Sequence, residues 1–325
     1  MLRKIYIELT ETCNLECEIC FRHNWGNPPI EMALPVLNNL ISQINNLPSL
    51  ETVVIGGIGE PLNASRFNYA LNSLKHKKIH VTTNGVLLHL HLNEELIRNV
   101  HLLIVSIDGM EQQMLKSRGI VLDELIVNID RLNSLKKQFG SQIPYLDIQF
   151  VASRKNINDI FPLMDLLAEK HVRNIIVSHL MPQDSTQADD ILYSRFENKV
   201  AKELFNRIRN HSFKRGLRIV LPEIELKTER RCAFVNNDAA YITAKGEVVP
   251  CYRLSHEGKE VVFGREKSLR QYSFGNVADN TIEFIWNSDG YRKFRKKIFN
   301  NHFPSCPDCD LVEGCSLIND VEFDC

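Results

Sequence analysis

Short runs rich in β-branched and apolar residues alternate with longer stretches of helical periodicity, and this alternation restricts the fold more than any other feature of the chain. The short runs Ile5–Leu9, Thr52–Ile55, His80–Thr83, Leu102–Ser106, Tyr145–Ala152 and Asn174–His179 read as strands. Between them, Leu34–Leu47, Phe67–Lys77, Glu94–Asn99, Glu124–Phe139 and Ile160–Glu169 repeat apolar residues at three- and four-residue spacing, as amphipathic helices do; Leu125, Ile129, Leu132 and Leu135 show it clearly. Strand–helix–strand order calls for a parallel sheet with right-handed crossovers, hence an α/β fold. A long polar helix over Ile191–Arg215 is expected to close the unit. An open doubly wound sheet and a barrel satisfy this periodicity equally well.

From about Leu221 the helical periodicity fades, turn residues thicken and cysteines return. A boundary is expected near Pro222, dividing the chain into residues 1–221 and 222–325, a length suited to one large domain or two ordinary ones.

The residues that follow each expected strand locate the chemistry. In parallel α/β folds, functional groups gather at the carboxyl ends of the strands. Here the first strand is followed by Cys13-Asn-Leu-Glu-Cys17-Glu-Ile-Cys20 and the second by Gly56-Gly57-Ile58-Gly59-Glu60-Pro61. The third and fourth lead into Thr82-Thr83-Asn84-Gly85 and Ser106-Ile107-Asp108-Gly109, the fifth into Ser153-Arg154, and the sixth into Ser178-His179-Leu180-Met181-Pro182. Every strand thus ends in small, polar or ligand-capable residues, all on one rim.

Nine cysteines are many for a chain with no need of disulfides, and in a reducing compartment such residues bind metal or do chemistry. Three form the first cluster; none then follows until Cys232, after which come Cys251, Cys306, Cys309, Cys315 and Cys325, so two separate sites are implied. Three thiolates on one loop can converge on one metal centre and leave a tetrahedral or cubane iron one ligand short, a position open to substrate. A structural zinc knuckle that borrows a distant His or Cys is the other arrangement these residues allow.

Composition excludes several classes. Hydrophobic residues are 44% and charged residues 24%, ordinary globular values. Lys+Arg 39 against Asp+Glu 40 leaves a net charge of -1, with no basic excess to hold nucleic acid. The apolar run Leu102–Val105 is far too short to span a bilayer, and Met1–Thr10 alternates like a strand and lacks a signal peptide's apolar region. A cytoplasmic protein with no membrane partner is expected.

The spacing Cys13-x3-Cys17-x2-Cys20, with the Gly59-Glu60-Pro61 turn and the two ribose-type turns behind it, resembles the radical S-adenosylmethionine (SAM) superfamily over about Tyr6–Met181. The resemblance implies a partial (β/α)6 barrel and a [4Fe-4S] cluster on Cys13, Cys17 and Cys20, whose open iron SAM chelates. It implies that Gly59 and Glu60 meet the methionine amino group, and that Asn84, on the first ribose-type turn, faces the cofactor. Ser106 and Asp108 would face its ribose and carboxylate side, with Arg118 as a carboxylate-binding arginine and His179 and Met181 approaching the adenine. Arg118 at a helix start, solvated, is the plain alternative. Ile19 and Ile58 depart from the superfamily's usual residues at positions that chiefly offer backbone groups. His23 and Trp25 are read as packing on the rim, with a place over SAM as the alternative.

Cys232-x13-Gly246-x4-Cys251 and Cys306-x2-Cys309-x5-Cys315, with Gly275-Asn276-Val277 and Ile285-Trp286-Asn287-Ser288 between them, resemble the SPASM extension of this superfamily, which carries auxiliary iron–sulfur clusters. Asn319 stands where that extension has a further cysteine. Six thiolates cannot complete two four-cysteine clusters. Either Cys306, Cys309, Cys315 and Cys325 complete one, leaving Cys232 and Cys251 a partial second site, or Cys325 joins Cys232 and Cys251. A chain that stops on Cys325 looks cut short, and a structural zinc ribbon is the remaining alternative. The basic stretch Arg292–Lys297 is expected to be a solvated helix face.

The resemblance implies an enzyme that cleaves SAM reductively, with one electron from a donor such as ferredoxin or flavodoxin, and takes hydrogen from its substrate. Cys20-Phe21-Arg22, Trp25, the Gly57–Pro61 turn and Cys309-Asp310 are most similar to the maturases of tungsten-cofactor oxidoreductases, so the expected substrate is a peptide, a protein or a protein-bound cofactor. Dehydrogenation or epimerisation of a small molecule such as a sugar or aminocyclitol, and a non-catalytic metal-binding interaction protein, are the alternatives.

Overall fold

A computed structural model describes residues 1–225 and 232–299. The six expected strands are present: β1 (Lys4–Ile7), β2 (Thr52–Ile55), β3 (Lys78–Thr83), β4 (Val100–Ser106), β5 (Tyr145–Ala152) and β6 (Val172–His179). The intervening helices are α1 (Leu34–Asn45), α2 (Phe67–Ser73), α3 (Leu88–His91), α4 (Glu94–Asn99), α5 (Glu111–Arg118), α6 (Leu122–Gln138), α7 (Ile160–Leu167) and α8 (Lys199–Lys214). All six strands are parallel neighbours in sequence order, the arrangement of a partial TIM-type barrel. A doubly wound sheet would reverse its order at a switch point, and this one does not.

Three strands not expected from the sequence complete the sheet. β7 (Arg218–Val220) adds in parallel to β6, and β8 (Ala239–Ile242) adds in parallel to the other side of β1, with Lys4 opposite Ala239 and Ile7 opposite Ile242. β9 (Val248–Val249) then pairs antiparallel with β8. The sheet therefore runs β7-β6-β5-β4-β3-β2-β1-β8-β9 and crosses the point where the sequence texture changes. The two regions also share one apolar core: Leu37 and Leu40 of α1 belong to the same buried cluster as Ile282, Ile285, Trp286, Tyr291 and Phe294. The latter group comes from α10 (Ile282–Asn287) and α11 (Asp289–Phe299), which follow the short α9 (Ala233–Asn236) and the hairpin β10 (Gly258–Val262) and β11 (Arg265–Leu269). Side-chain amides of α1 fix this docking, Asn39 donating to Val277 O at 2.7 Å and Gln43 accepting from Ile282 N at 2.7 Å.

Two expectations change. The helix placed over Ile191–Arg215 starts only at Lys199, because the Asn198 side chain accepts from Ala201 N and caps it there. In the stretch Arg292–Lys297, Arg292, Lys293, Lys296 and Lys297 are exposed, whereas Phe294 is buried in the core and the Arg295 guanidinium lies 3.7 Å over the Trp286 ring and 4.7 Å over that of Tyr291. Among the described residues no helix is long and apolar enough to cross a membrane.

Candidate functional site

The loop after β1 carries Cys13, Cys17 and Cys20, none in a disulfide and Cys17 only 9% exposed. The turns that follow the other strands hold this loop. From the β2 turn, Glu60 N donates to Thr12 O at 2.9 Å and Asn63 Nδ2 to Thr12 Oγ1 at 2.9 Å. Gly59 lies so close that an added Cβ would stand 2.1 Å from Thr10 O and 2.7 Å from Thr12 O, so only glycine fits. From the β3 turn, the Asn84 amide donates to Asn14 Oδ1 at 2.8 Å and reaches Cys13 Sγ at 3.8 Å. From α5, Ser117 O accepts from Glu18 N at 2.8 Å, and Arg118 Nη1 points at Cys17 Sγ from 3.9 Å. From beyond β6, Gln187 donates to Glu18 O at 2.9 Å. Within the loop, the His23 imidazole donates to Cys17 O at 2.7 Å.

The polar side chains of the rim are mostly spent on one another. Glu60 is 3% exposed; its carboxylate accepts from Leu62 N, Thr83 Oγ1 and Asn84 N at 3.0, 2.7 and 2.7 Å, so it ties the β2 turn to the β3 turn. Burial pushes its pKa up, against those three donors. Asp108, 1% exposed, accepts from Val151 N at 2.7 Å and from Arg118 Nε at 2.6 Å. Burial works against the charge on Arg118, and Asp108 and then Cys17 outweigh it, so the guanidinium is held charged. Gly119, in the left-handed region at φ 69°, ends α5 immediately after Arg118 and fixes where that side chain starts. Burial raises the Cys13 and Cys17 thiols; Arg118 opposes the rise at Cys17.

The expected residues therefore divide. Cys13, Cys17, Cys20, Gly59, Asn84 and Arg118 converge on the loop. Glu60 and Asp108 stand behind it as positioning carboxylates, and Ser106 ends β4 opposite Gln149. His179 is turned toward Glu223 O, which its Nε2 meets at 2.6 Å, and its ring edges onto Tyr193; burial lowers its pKa. Met181 packs against the Tyr193–Val262 cluster. Cys232 and Cys251 both pack against the cluster of Phe234, Ala239, Tyr241 and Val249. Cys306, Cys309, Cys315 and Cys325 lie outside the described residues.

Arg22 entered the sequence reading only as part of the Cys20-Phe21-Arg22 motif, and Glu8 and His256 did not enter it. Glu8, 0% exposed, accepts from Tyr241 Oη at 2.9 Å, Ile58 N at 3.1 Å and His256 Nε2 at 2.9 Å. It thereby joins β8 and the segment before β10 to the β2 turn. A carboxylate at the end of an otherwise apolar strand was the available signal. Trp25 stacks on the His256 ring at 4.0 Å, and the two line a shallow cleft with Phe21, Ile58, Arg253 and Leu269.

Three thiols on one loop, an amide and a guanidinium aimed at their sulfurs, and a buried Arg22 Nη1 with no hydrogen-bond partner among the described residues suit an anionic iron–sulfur group and a carboxylate-bearing ligand. Comparison with known proteins gives the same picture. The chain is 33% identical to the tungsten-containing aldehyde ferredoxin oxidoreductase cofactor-modifying protein of Pyrococcus furiosus, over 100% of this chain and 92% of that protein. The chain belongs to the radical SAM superfamily.

As a member of this superfamily it is an enzyme that uses a [4Fe-4S] cluster and SAM, and its function is of the maturase type. Residues 232–310 match SPASM, an iron–sulfur cluster-binding domain. A probable GTP 3′,8-cyclase of Methanocaldococcus jannaschii is 24% identical over 65% of this chain and 70% of its own length. The fold is that of SuiB from Streptococcus suis, solved bound to S-adenosylmethionine, with TM-score 0.64 and 15% identity over 90% of this chain and 67% of that one. It is also that of anSMEcpe, solved with AdoMet and the Cp18Cys peptide, with TM-score 0.67 and 18% identity over 92% and 84%.

Proposed function

We propose that this radical SAM enzyme abstracts a hydrogen atom from a peptide, a protein or a protein-bound cofactor, as one step in maturing a tungsten-dependent oxidoreductase. The observation that carries this reading is the full-length match to the Pyrococcus furiosus cofactor-modifying protein, together with a cleft that opens beside the cysteine loop. In this reading residues 1–221 are the catalytic barrel and 222–325 the auxiliary-cluster region.

When bound, the cluster and SAM supply a one-electron cleavage of the sulfonium to methionine and a 5′-deoxyadenosyl radical that takes hydrogen from carbon. Cys13, Cys17 and Cys20 hold the cluster; Gly59 and the backbone of Glu60 take the methionine amino group. Arg118, charged and steadied by Asp108, and Arg22 face the carboxylate. Asn84, Ser106 and Asp108 would serve the ribose side, and Met181 and His179, the latter once released from Glu223 O, the adenine side. Phe21, Trp25 and Ile58 present apolar surface to the cleft, which keeps water from a reactive intermediate. Cys232 and Cys251, with Cys306, Cys309, Cys315 and Cys325, bind one or two auxiliary clusters, and a ferredoxin or flavodoxin delivers the electron.

The test is anaerobic reconstitution and reduction. Wild type should release 5′-deoxyadenosine and methionine from SAM, and Cys17→Ala should release neither; cleavage undiminished in Cys17→Ala would sink the assignment. Deuterium carried into 5′-deoxyadenosine from a labelled precursor of the tungsten cofactor, but not from labelled sugars, identifies the substrate class; the reverse result favours the small-molecule alternative.

A further inference from the structure

Tyr291 lies on α11 with its ring fixed on several sides. Phe274 stacks on it at 4.0 Å with the planes 8° apart, Trp286 meets it at 4.9 Å nearly edge-on, and the Arg295 guanidinium covers it at 4.7 Å. The residue is 1% exposed, yet its hydroxyl has no hydrogen-bond partner among the described residues. A buried hydroxyl left unpaired costs about 1–3 kcal/mol, so a ring held this firmly needs something for that O–H to meet. Geometry brings the ring to the segments that carry two of the cysteines: Phe274, on which it stacks, donates its N–H to Val248 O, three residues before Cys251, and α11 packs against α9, whose N-cap is Cys232. Electrostatics run the same way, Tyr291 feeling Arg295 first and then Cys251 and Cys232. Cys251 packs both with the apolar core that contains Tyr291 and with the small cluster on which Cys232 sits. The ring therefore lies beside the segments that carry the two thiols.

We infer that Tyr291 is a positioning residue for the auxiliary iron–sulfur cluster, donating its hydroxyl hydrogen bond to a cluster sulfur or ligating thiolate and so setting the reduction potential. The inference rests on the assignment of Cys232 and Cys251 to that cluster. A hydrogen bond to sulfur stabilises the more negative, reduced state over the oxidised one and raises the potential. The aromatic stack and the Arg295 guanidinium keep the donor aimed without conformational search.

The experiment uses the full chain in a Cys13→Ala/Cys17→Ala/Cys20→Ala background, reconstituted anaerobically, so that the remaining iron is auxiliary. Tyr291→Phe removes the hydroxyl and keeps the stack; Tyr272→Phe, which removes a hydroxyl from the same aromatic cluster, is the control. Tyr291→Phe should keep its iron and sulfide per chain while an EPR-monitored redox titration shows a more negative midpoint. At the parent's midpoint the reduced-to-oxidised ratio should fall about tenfold, which for a one-electron couple is about 59 mV. An unmoved midpoint, or an equal shift in Tyr272→Phe, would overturn the inference while leaving the auxiliary cluster in place. Loss of iron from a folded Tyr291→Phe would make the residue a ligand and overturn it too. Iron and midpoint unaffected by Cys232→Ala or Cys251→Ala would instead remove the ligand assignment beneath it.

Discussion

The residues around the cysteine loop are coupled through a few buried contacts, so single changes there have separable consequences. Arg118→Ala strips the partner from a carboxylate that is 1% exposed and should destabilise the fold by about 3–5 kcal/mol, read by urea denaturation. Asp108→Asn added to Arg118→Ala should recover part of that loss, because no charge is then left buried; a double-mutant cycle measures it. Gly59→Ala acts differently. Its Cβ would meet the Thr10 and Thr12 carbonyls, so the β2 turn must draw back from the cysteine loop. Iron retained at the N-terminal site under a chelator challenge should fall about tenfold relative to wild type, with little change in the far-UV spectrum.

At the scale of elements, the strands whose alternation or apolar runs are strong were legible in the sequence, and the weakly patterned ones were not. α5 is the clearest case. Its sequence EQQMLKSR has one fully apolar buried position, Met114, and its placement depends on the turn after β4 and the Gly119 cap. β7 spans three residues and β9 two, too short for periodicity to register. β8, Ala-Ala-Tyr-Ile, is buried at every position, which only its place between β1 and β9 explains. The β3–β4 pair also carries a pH dependence. Burial, with Lys4, His101 and Arg173 nearby and Asp147 opposing them, lowers the pKa of His80 from 6.5 to about 4. The folded protein then binds fewer protons than the unfolded chain between those values. The stabilisation is whole above the unfolded pKa and drains as pH falls through the window toward 4. Discounted for partial exposure of the ring, about 1–3 kcal/mol should be lost between pH 7 and pH 4.5. His80→Gln should flatten that slope in denaturation curves taken across the range.

Across the whole molecule, the segment with the auxiliary cysteines is built into the barrel. Glu8 is the joint: it receives Tyr241 from β8, His256 from the segment before β10, and Ile58 N from the β2 turn. Glu8→Gln replaces an acceptor by an amide that cannot satisfy all three donors, and should cost about 2–3 kcal/mol. It should also weaken SAM binding in equilibrium dialysis while the iron at Cys13, Cys17 and Cys20 stays in place. Unchanged SAM affinity would show that the β2 turn is held without the C-terminal region. The sequence by itself determined the order of strands and helices, the rim on which the loops gather and the grouping of three cysteines on the loop after β1, because periodicity and spacing are local properties of the chain. Only the tertiary structure decided that β8 extends the sheet beside β1, that Glu60 and Asp108 serve neighbouring turns, and that Tyr291 on α11 packs beside the segments that carry Cys232 and Cys251. Those relations join residues far apart in the chain, and they exist only once burial has removed water as the competing partner for each buried polar group.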